Sequence, residues 1–384
     1  MRRRTTIPKP GGSAGETNTP FLPPYPPSWV DRLTDAVDRL PGPAWLAFVG
    51  LAAVGVLVQL GIQASTADYS PERHLPMHIW VAGNFAYLLG VIHYLDRSAA
   101  AALEVFRPVL QLTPPQGSTE SHETLDELRY RLTTMPARTT AWVTVLGGLT
   151  LVLLTTLLIR GPAGGPAGVA VNPMRSLAAV GLSASPAAFA AYLLQFAGSQ
   201  VIAAVALYHT IYQLRLIHNI YVKHTRVHLY RLQPLYAFSV LAALTAGSLL
   251  LYSYLWVATA PEFFNEAASI GVVALTTGLA VVTFTWPLWG IHRRLVEEKK
   301  RLLQESSMRF EVSVAQLHQR VDRGRLTRMD DLNKTLASLE IEQAALRRVP
   351  TWPWEPGTVR ALVAALLVPI IIWLTQNILQ RLLG

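Results

Sequence analysis

Seven apolar runs punctuate this chain: about Trp45 to Ile62, Met77 to Leu95, Trp142 to Leu158, Phe189 to Tyr208, Tyr236 to Val257, Ser269 to Trp289 and Ala361 to Leu374. A helix needs about 20 apolar residues to cross a hydrocarbon core about 30 Å thick. Runs of that length define an all-α integral membrane protein with seven transmembrane helices. The average composition agrees, 51% hydrophobic and only 15% charged, well away from a soluble domain.

The basic residues orient the spans. Of the 33 Lys and Arg, only Arg73, Arg160, Arg175 and Arg381 fall on the side opposite the N-terminus. Basic residues collect in cytoplasmic loops, so the N-terminus is expected in the cytoplasm and the C-terminus outside. The same bias accounts for the net charge of +9 without a nucleic-acid partner. The plentiful Arg, Ala and Pro read as a bacterial protein of the plasma (inner) membrane. No signal peptide is expected, because the first apolar run begins near Pro43.

Residues 1–27 are rich in Arg, Gly, Thr and Pro and read as a disordered tail. Residues 28–42 read as an amphipathic helix lying on the membrane, with Ser28 as cap, Asp31 as its box partner and Trp29, Leu33, Val37 and Leu40 on the apolar face. Residues 43–291 hold spans 1–6 and their cytoplasmic extensions. Within them Gln213 to Leu232 is expected to bend from span 4 and lie in the membrane plane.

Residues 292–349 are charged and heptad-patterned. Phe310, Val314, Leu317 and Val321 recur along a first arm, and Leu332, Leu336 and Leu339 along a second, with a turn at Gly324 between them. This predicts a long cytoplasmic antiparallel helical hairpin between spans 6 and 7, roughly 30 to 45 Å long at 1.5 Å per residue. Two readings stay open: an element that assembles copies or docks a cytoplasmic protein, and a pair of helices that packs only on itself.

Residues 350–384 close the chain. Pro350, Trp352, Pro353 and Trp354 form an elbow whose indoles suit the membrane–water interface. It is either a stiff link between hairpin and span 7 or a plain anchor. On span 7, Trp373, Gln376 and Gln380 share a helical face, with Thr375 beside them. Amides on such a face can replace part of an ion's hydration shell. A helix end that turns polar on meeting water gives the same residues.

Candidate chemistry is sparse. Cys is absent, which removes disulfides, thiolate metal sites and cysteine nucleophiles. No nucleotide-binding, hydrolase or metalloprotease motif occurs. His224 and His228 are four apart, but Lys223 and Arg226 beside them repel a cation. No Asp, Glu, Lys or Arg lies mid-span, which argues against an ion-coupled transporter. Asn84, Gln195 and Gln200 supply uncharged polarity in spans 2 and 4. No catalytic residue, metal or cofactor is expected.

The chain, particularly Trp286 to Leu383 with Pro350-Thr351-Trp352-Pro353-Trp354 at its elbow, resembles over most of its length a family of uncharacterised prokaryotic multispan membrane proteins that carry such an elbow before the last span, a resemblance that implies no known activity. In layout the chain is also similar to the seven-transmembrane ion channels of the insect chemoreceptor type. That similarity implies a homotetramer held together by cytoplasmic helices, with the last span lining the pore. The receptors' last-span signature, Thr-Tyr then Gln-Phe, is not present; Trp373-Leu374-Thr375-Gln376 stands in its place. The expected function is therefore a homo-oligomeric ion channel in the lipid bilayer. A non-conducting sensor or scaffold is the alternative, and a small-solute transporter comes third.

Overall fold

The computed structural model describes residues 21–64, 71–112, 124–159, 186–259, 267–324, 327, 329–355, 357–367 and 371. The named elements among them are helical: α1 (Trp29–Asp38), α2 (Ala44–Gln63), α3 (Pro71–Phe106), α4 (Leu125–Thr133), α5 (Ala137–Trp142), α6 (Gly148–Ile159), α7 (Pro186–Lys223), α8 (Ala237–Thr259), α9 (Ala267–Asp322) and α10 (Met329–Arg348). A shorter apolar helix, α11 (Gly357–Leu367), follows. A π-helical turn, Val143–Gly147, joins α5 to α6.

Five of these helical stretches are long and apolar enough to cross a membrane: Ala44–Ile62, Ala137–Leu154, Leu193–Lys223, Gln233–Leu255 and Val273–Asp322. That is the make-up of a multi-pass membrane protein. α3 is not among the five, because His78, Asn84 and His93 dilute its apolar content. It is nevertheless the centre of the bundle, packed on α2, α7 and α8. By contrast α2 and α6 turn Leu46, Val49, Val54, Leu57, Leu149 and Leu153 outward, the pattern of helices that face lipid.

α3, α7 and α9 are 36, 38 and 56 residues long, or about 54, 57 and 84 Å. All three outrun a bilayer, and their projecting ends pack together. Leu95, Leu103 and Phe106 of α3, Leu128 and Leu132 of α4, Leu214, Ile217 and Tyr221 of α7, and Ile291 and Leu295 of α9 form one buried cluster. Phe106, Tyr221 and Phe238 meet at its centre, with ring centroids 4.9 to 5.6 Å apart.

This core corrects the expectation for Gln213 to Leu232. α7 continues unbroken from Pro186 to Lys223, so no separate in-plane helix begins at Gln213. Of the apolar residues of this segment, Ile217, Ile220 and Tyr221 are buried against α3, α4 and α9 and Leu216 and Val227 are half-buried against the same cluster, while Tyr230 is exposed. The chain returns through 224–232, tied down where Gln111 N–H donates to His224 O (2.7 Å) and Arg226 N–H to Val109 O (2.9 Å). Arg294 Nη1 caps α7 by donating to the carbonyls of Tyr221 (3.0 Å) and Thr225 (3.1 Å), a cation against a negative helix end.

The N-terminal helix also sits differently. Ser28 and Asp31 form the expected capping box, but α1 docks on protein. Val30 and Thr34 are buried, Trp29 Nε1 donates to Thr144 Oγ1 (2.8 Å), and Leu33 and Leu40 point outward. Residues 21–27, expected at the end of the disordered tail, lie along α4. Tyr25 OH donates to Thr134 O (2.9 Å), and Tyr130 OH donates to Tyr25 O (2.7 Å). Tyr25 in this Pro-rich stretch, with Tyr130 on α4, supplies the anchoring that composition alone does not reveal.

Candidate functional site

The elbow is a stack of rings laid against α9. Phe284 and Trp354 stack at 5.4 Å, Trp354 and Trp352 at 4.3 Å and 8°, and Trp352 and His292 at 3.9 Å and 14°. Trp289 meets the edge of Trp352 at 5.9 Å. Phe284, Trp289 and His292 lie within about two turns of one helix, so three helical side chains grip two indoles. Pro353 is buried and Pro350 exposed. Such ring contacts are worth about 0.5–1.5 kcal/mol each beyond their burial.

Polar contacts fix the same joint. His292 Nδ1 lies 3.0 Å from Thr351 O. Lys299 Nζ donates to the carbonyls of Arg347 (2.8 Å) and Val349 (2.7 Å) and so caps α10. Beyond the elbow, Tyr254 OH donates to Ala365 O (2.6 Å), which holds α11 beside α8. Contacts of this kind thus hold the end of α10, the elbow and α11 against α9 and α8.

α10 returns along α9 after Gly324, whose φ of +61° is a turn conformation that glycine adopts without strain. Leu332 is buried, Phe310, Val314, Leu317, Leu336 and Leu339 are half-buried, and Val321 is exposed. The seam between the arms is therefore narrow. Trp373, Thr375, Gln376 and Gln380 lie outside the described residues.

Sequence reasoning missed a second group, where α1 meets α3 and α7. His93 Nε2 and Arg97 Nη2 lie 2.7 and 2.6 Å from Asp38 Oδ1. One turn along, His209 Nε2 is 2.8 Å from Asp96 Oδ1, and Gln213 Nε2 donates to the same oxygen at 3.3 Å. Asp31 Oδ2 accepts the N–H groups of Ser28 (2.8 Å) and Met135 (3.0 Å). Burial pushes the Asp31 carboxyl above the usual carboxylate range, with the hydrogen bonds from Ser28 and Met135 pulling the other way. The signal was present as acidic and imidazole residues at span ends, but nothing in the sequence pairs them.

Uncharged groups occupy the opposite half of the bundle. Ser199 Oγ lies 2.9 Å from Val81 O, Gln195 Nε2 donates to Gly55 O (3.1 Å), and Asn84 Nδ2 is 3.5 Å from Tyr252 OH. Leu88, Leu89, Ile92, Ile202 and Val205 fill the space between this group and the acid–imidazole pairs. Among the described residues, apolar side chains thus separate the two polar groups along the α3–α7 seam. Among the described residues no group of three or more His, Asp or Glu is arranged to hold a metal. His224 follows the last turn of α7 rather than sharing a helical face with His228.

Comparison with protein-family models, curated proteins and solved structures found no match.

Proposed function

We propose that this is a seven-span protein of the bacterial plasma membrane, N-terminus inside and C-terminus outside, that works as a homotetrameric ion channel. In this reading the α9–α10 hairpin is a cytoplasmic arm that joins subunits. The last span lines the pore, with Gln376 and Gln380 facing the ions. The observation that supports it is the elbow: the stack from His292 through Trp352 and Trp354 to Phe284 holds the chain between arm and last span against α9, and in this reading movement of the arm is passed through it to the last span. Proteoliposomes containing the protein conduct ions, and Gln376→Leu/Gln380→Leu abolishes flux while leaving assembly intact. Unchanged flux in that double variant removes the pore assignment.

One observation favours a second reading. On α11, Leu362 is buried while Val363 and Leu367 are exposed, and Ile371 continues the exposed set. At 3.6 residues per turn Gln380 falls five turns after Leu362, and Gln376 close to the same phase. By that sequence phase alone, an unbroken helix puts the two amides on the side of Leu362. Pro369 is the one residue between that can change the phase. A last span with that phase suits a non-conducting sensor or scaffold whose arm docks a partner. Deleting the arm between Leu302 and Leu346 separates the two: loss of oligomers supports the channel, and loss of a captured partner from an otherwise intact protein supports the scaffold.

A further inference from the structure

The arm has apolar residues left over after its own seam is made. On α9, Met308 and Val312 are 58% and 57% exposed, and Ala315 is exposed with them. At 100° per residue these three point about half a turn away from Ser306, Phe310 and Leu317, which face α10. On α10, Ile341 is 71% exposed, with Ala337 and Ala344 exposed beside it. They stand about opposite Leu332, Leu336 and Leu346, which face α9. The arm is thus a flat two-helix ribbon with an apolar strip on each outer edge.

The two edges match in height. Lys299 bonds to the carbonyls of Arg347 and Val349, which sets α9 and α10 in antiparallel register. In that register Met308 lies level with Leu339 and Ile341 with Ser306, about 3 Å apart along the arm. Glu297 lies within about 3 Å of the level of Arg348, and Glu311 within about 3 Å of Lys334. Glu297, Glu311 and Arg348 have no ion-pair partner among the described residues; Lys334 pairs with Asp330. Copies related by rotation about an axis along the arm keep their heights. Placing the α9 edge of one copy on the α10 edge of the next sets apolar strip on apolar strip and Glu297 beside an Arg348. An edge paired with its own kind by a two-fold axis sets Glu297 near a second Glu297 instead.

We infer that the two outer edges of the arm are the two halves of one head-to-tail interface, so that the α9 edge around Met308 and Val312 packs on the α10 edge around Ile341 of a neighbouring copy of this chain. Head-to-tail contacts close into a ring where the rotation between copies divides a full turn. The inference rests on the homo-oligomeric reading above and adds its geometry.

The chain's lack of Cys gives a clean test in the full-length protein in native membranes. Met308→Cys/Ile341→Cys, oxidised with copper phenanthroline, gives a ladder of covalent dimers, trimers and higher species. Either single variant stays monomeric on the same gel. Glu297→Arg reduces the double-cysteine ladder at least several-fold, and adding Arg348→Glu restores it. Covalent dimers from a single variant overturn the inference in favour of a two-fold contact. No cross-link in a preparation that mass photometry shows to be multimeric overturns the interface and leaves the oligomer standing. A single-copy preparation overturns both.

Discussion

The indole of Trp352 lies flat on the imidazole of His292, ring centroids 3.9 Å apart and planes 14° from parallel. The two residues are brought together from the ends of a long excursion, His292 where α9 leaves the apolar run and Trp352 where the chain returns to it. That contact fastens the elbow after α10 to α9. If the stack holds the joint, Trp352→Ala lowers stability by about 2 kcal/mol, the sum of lost ring contacts, and exposes residues 349–356 to protease. Trp352→Phe keeps most of both. Thermal unfolding and limited proteolysis of the purified protein in detergent check this.

The projecting core makes a larger claim on stability. Phe106 is wholly buried against Tyr221 and Phe238, so Phe106→Ala leaves a cavity and costs about 3–5 kcal/mol. Tyr221→Phe removes only the hydrogen bond from its hydroxyl to Leu235 O, 2.7 Å long, and costs about 1 kcal/mol. Thermal unfolding ranks the two, and the order reverses if the projecting helices do not share a core.

Asp31 gives a pH dependence with a definite sign. Its folded-state carboxyl is raised above the ordinary value of 3.8 by burial. A raised group stabilises the docked state fully below the unfolded value and loses that contribution as pH rises through the folded value. Docking of α1 therefore weakens on going upward in pH from about 3.9. Amide exchange of residues 28–38 measured between pH 4 and pH 8 becomes faster, after correction for intrinsic exchange. Asp31→Asn flattens the profile.

Orientation is tested by labelling. Ser338→Cys in the arm reacts with a membrane-impermeant maleimide in inside-out vesicles and not in intact cells, and Ser65→Cys, between α2 and α3, does the reverse. The opposite pattern inverts the topology; labelling of both from one side removes a span.

What was legible in the sequence was what depends on local pattern. The Ser28–Asp31 cap, the turn at Gly324 and the continuation of helix past Trp289 each follow from a few neighbouring residues. The in-plane placement of Gln213 to Leu232 failed because Ile217, Ile220 and Tyr221 look alike whether they face lipid or protein; only α3, α4 and α9 decide between them. The pairs Asp38–His93 and Asp96–His209 join residues 55 and 113 positions apart, a distance no periodicity reaches. The elbow was legible as Trp and Pro, but its grip on His292 and Phe284 was not.

The central claim, that copies of the chain assemble through the arm, is tested most directly by weighing the full-length protein in lipid nanodiscs by mass photometry. The account predicts four copies, falling to one when a short linker replaces the arm between Leu302 and Leu346. A single copy of the intact chain, or a multimer that keeps its mass without the arm, contradicts it.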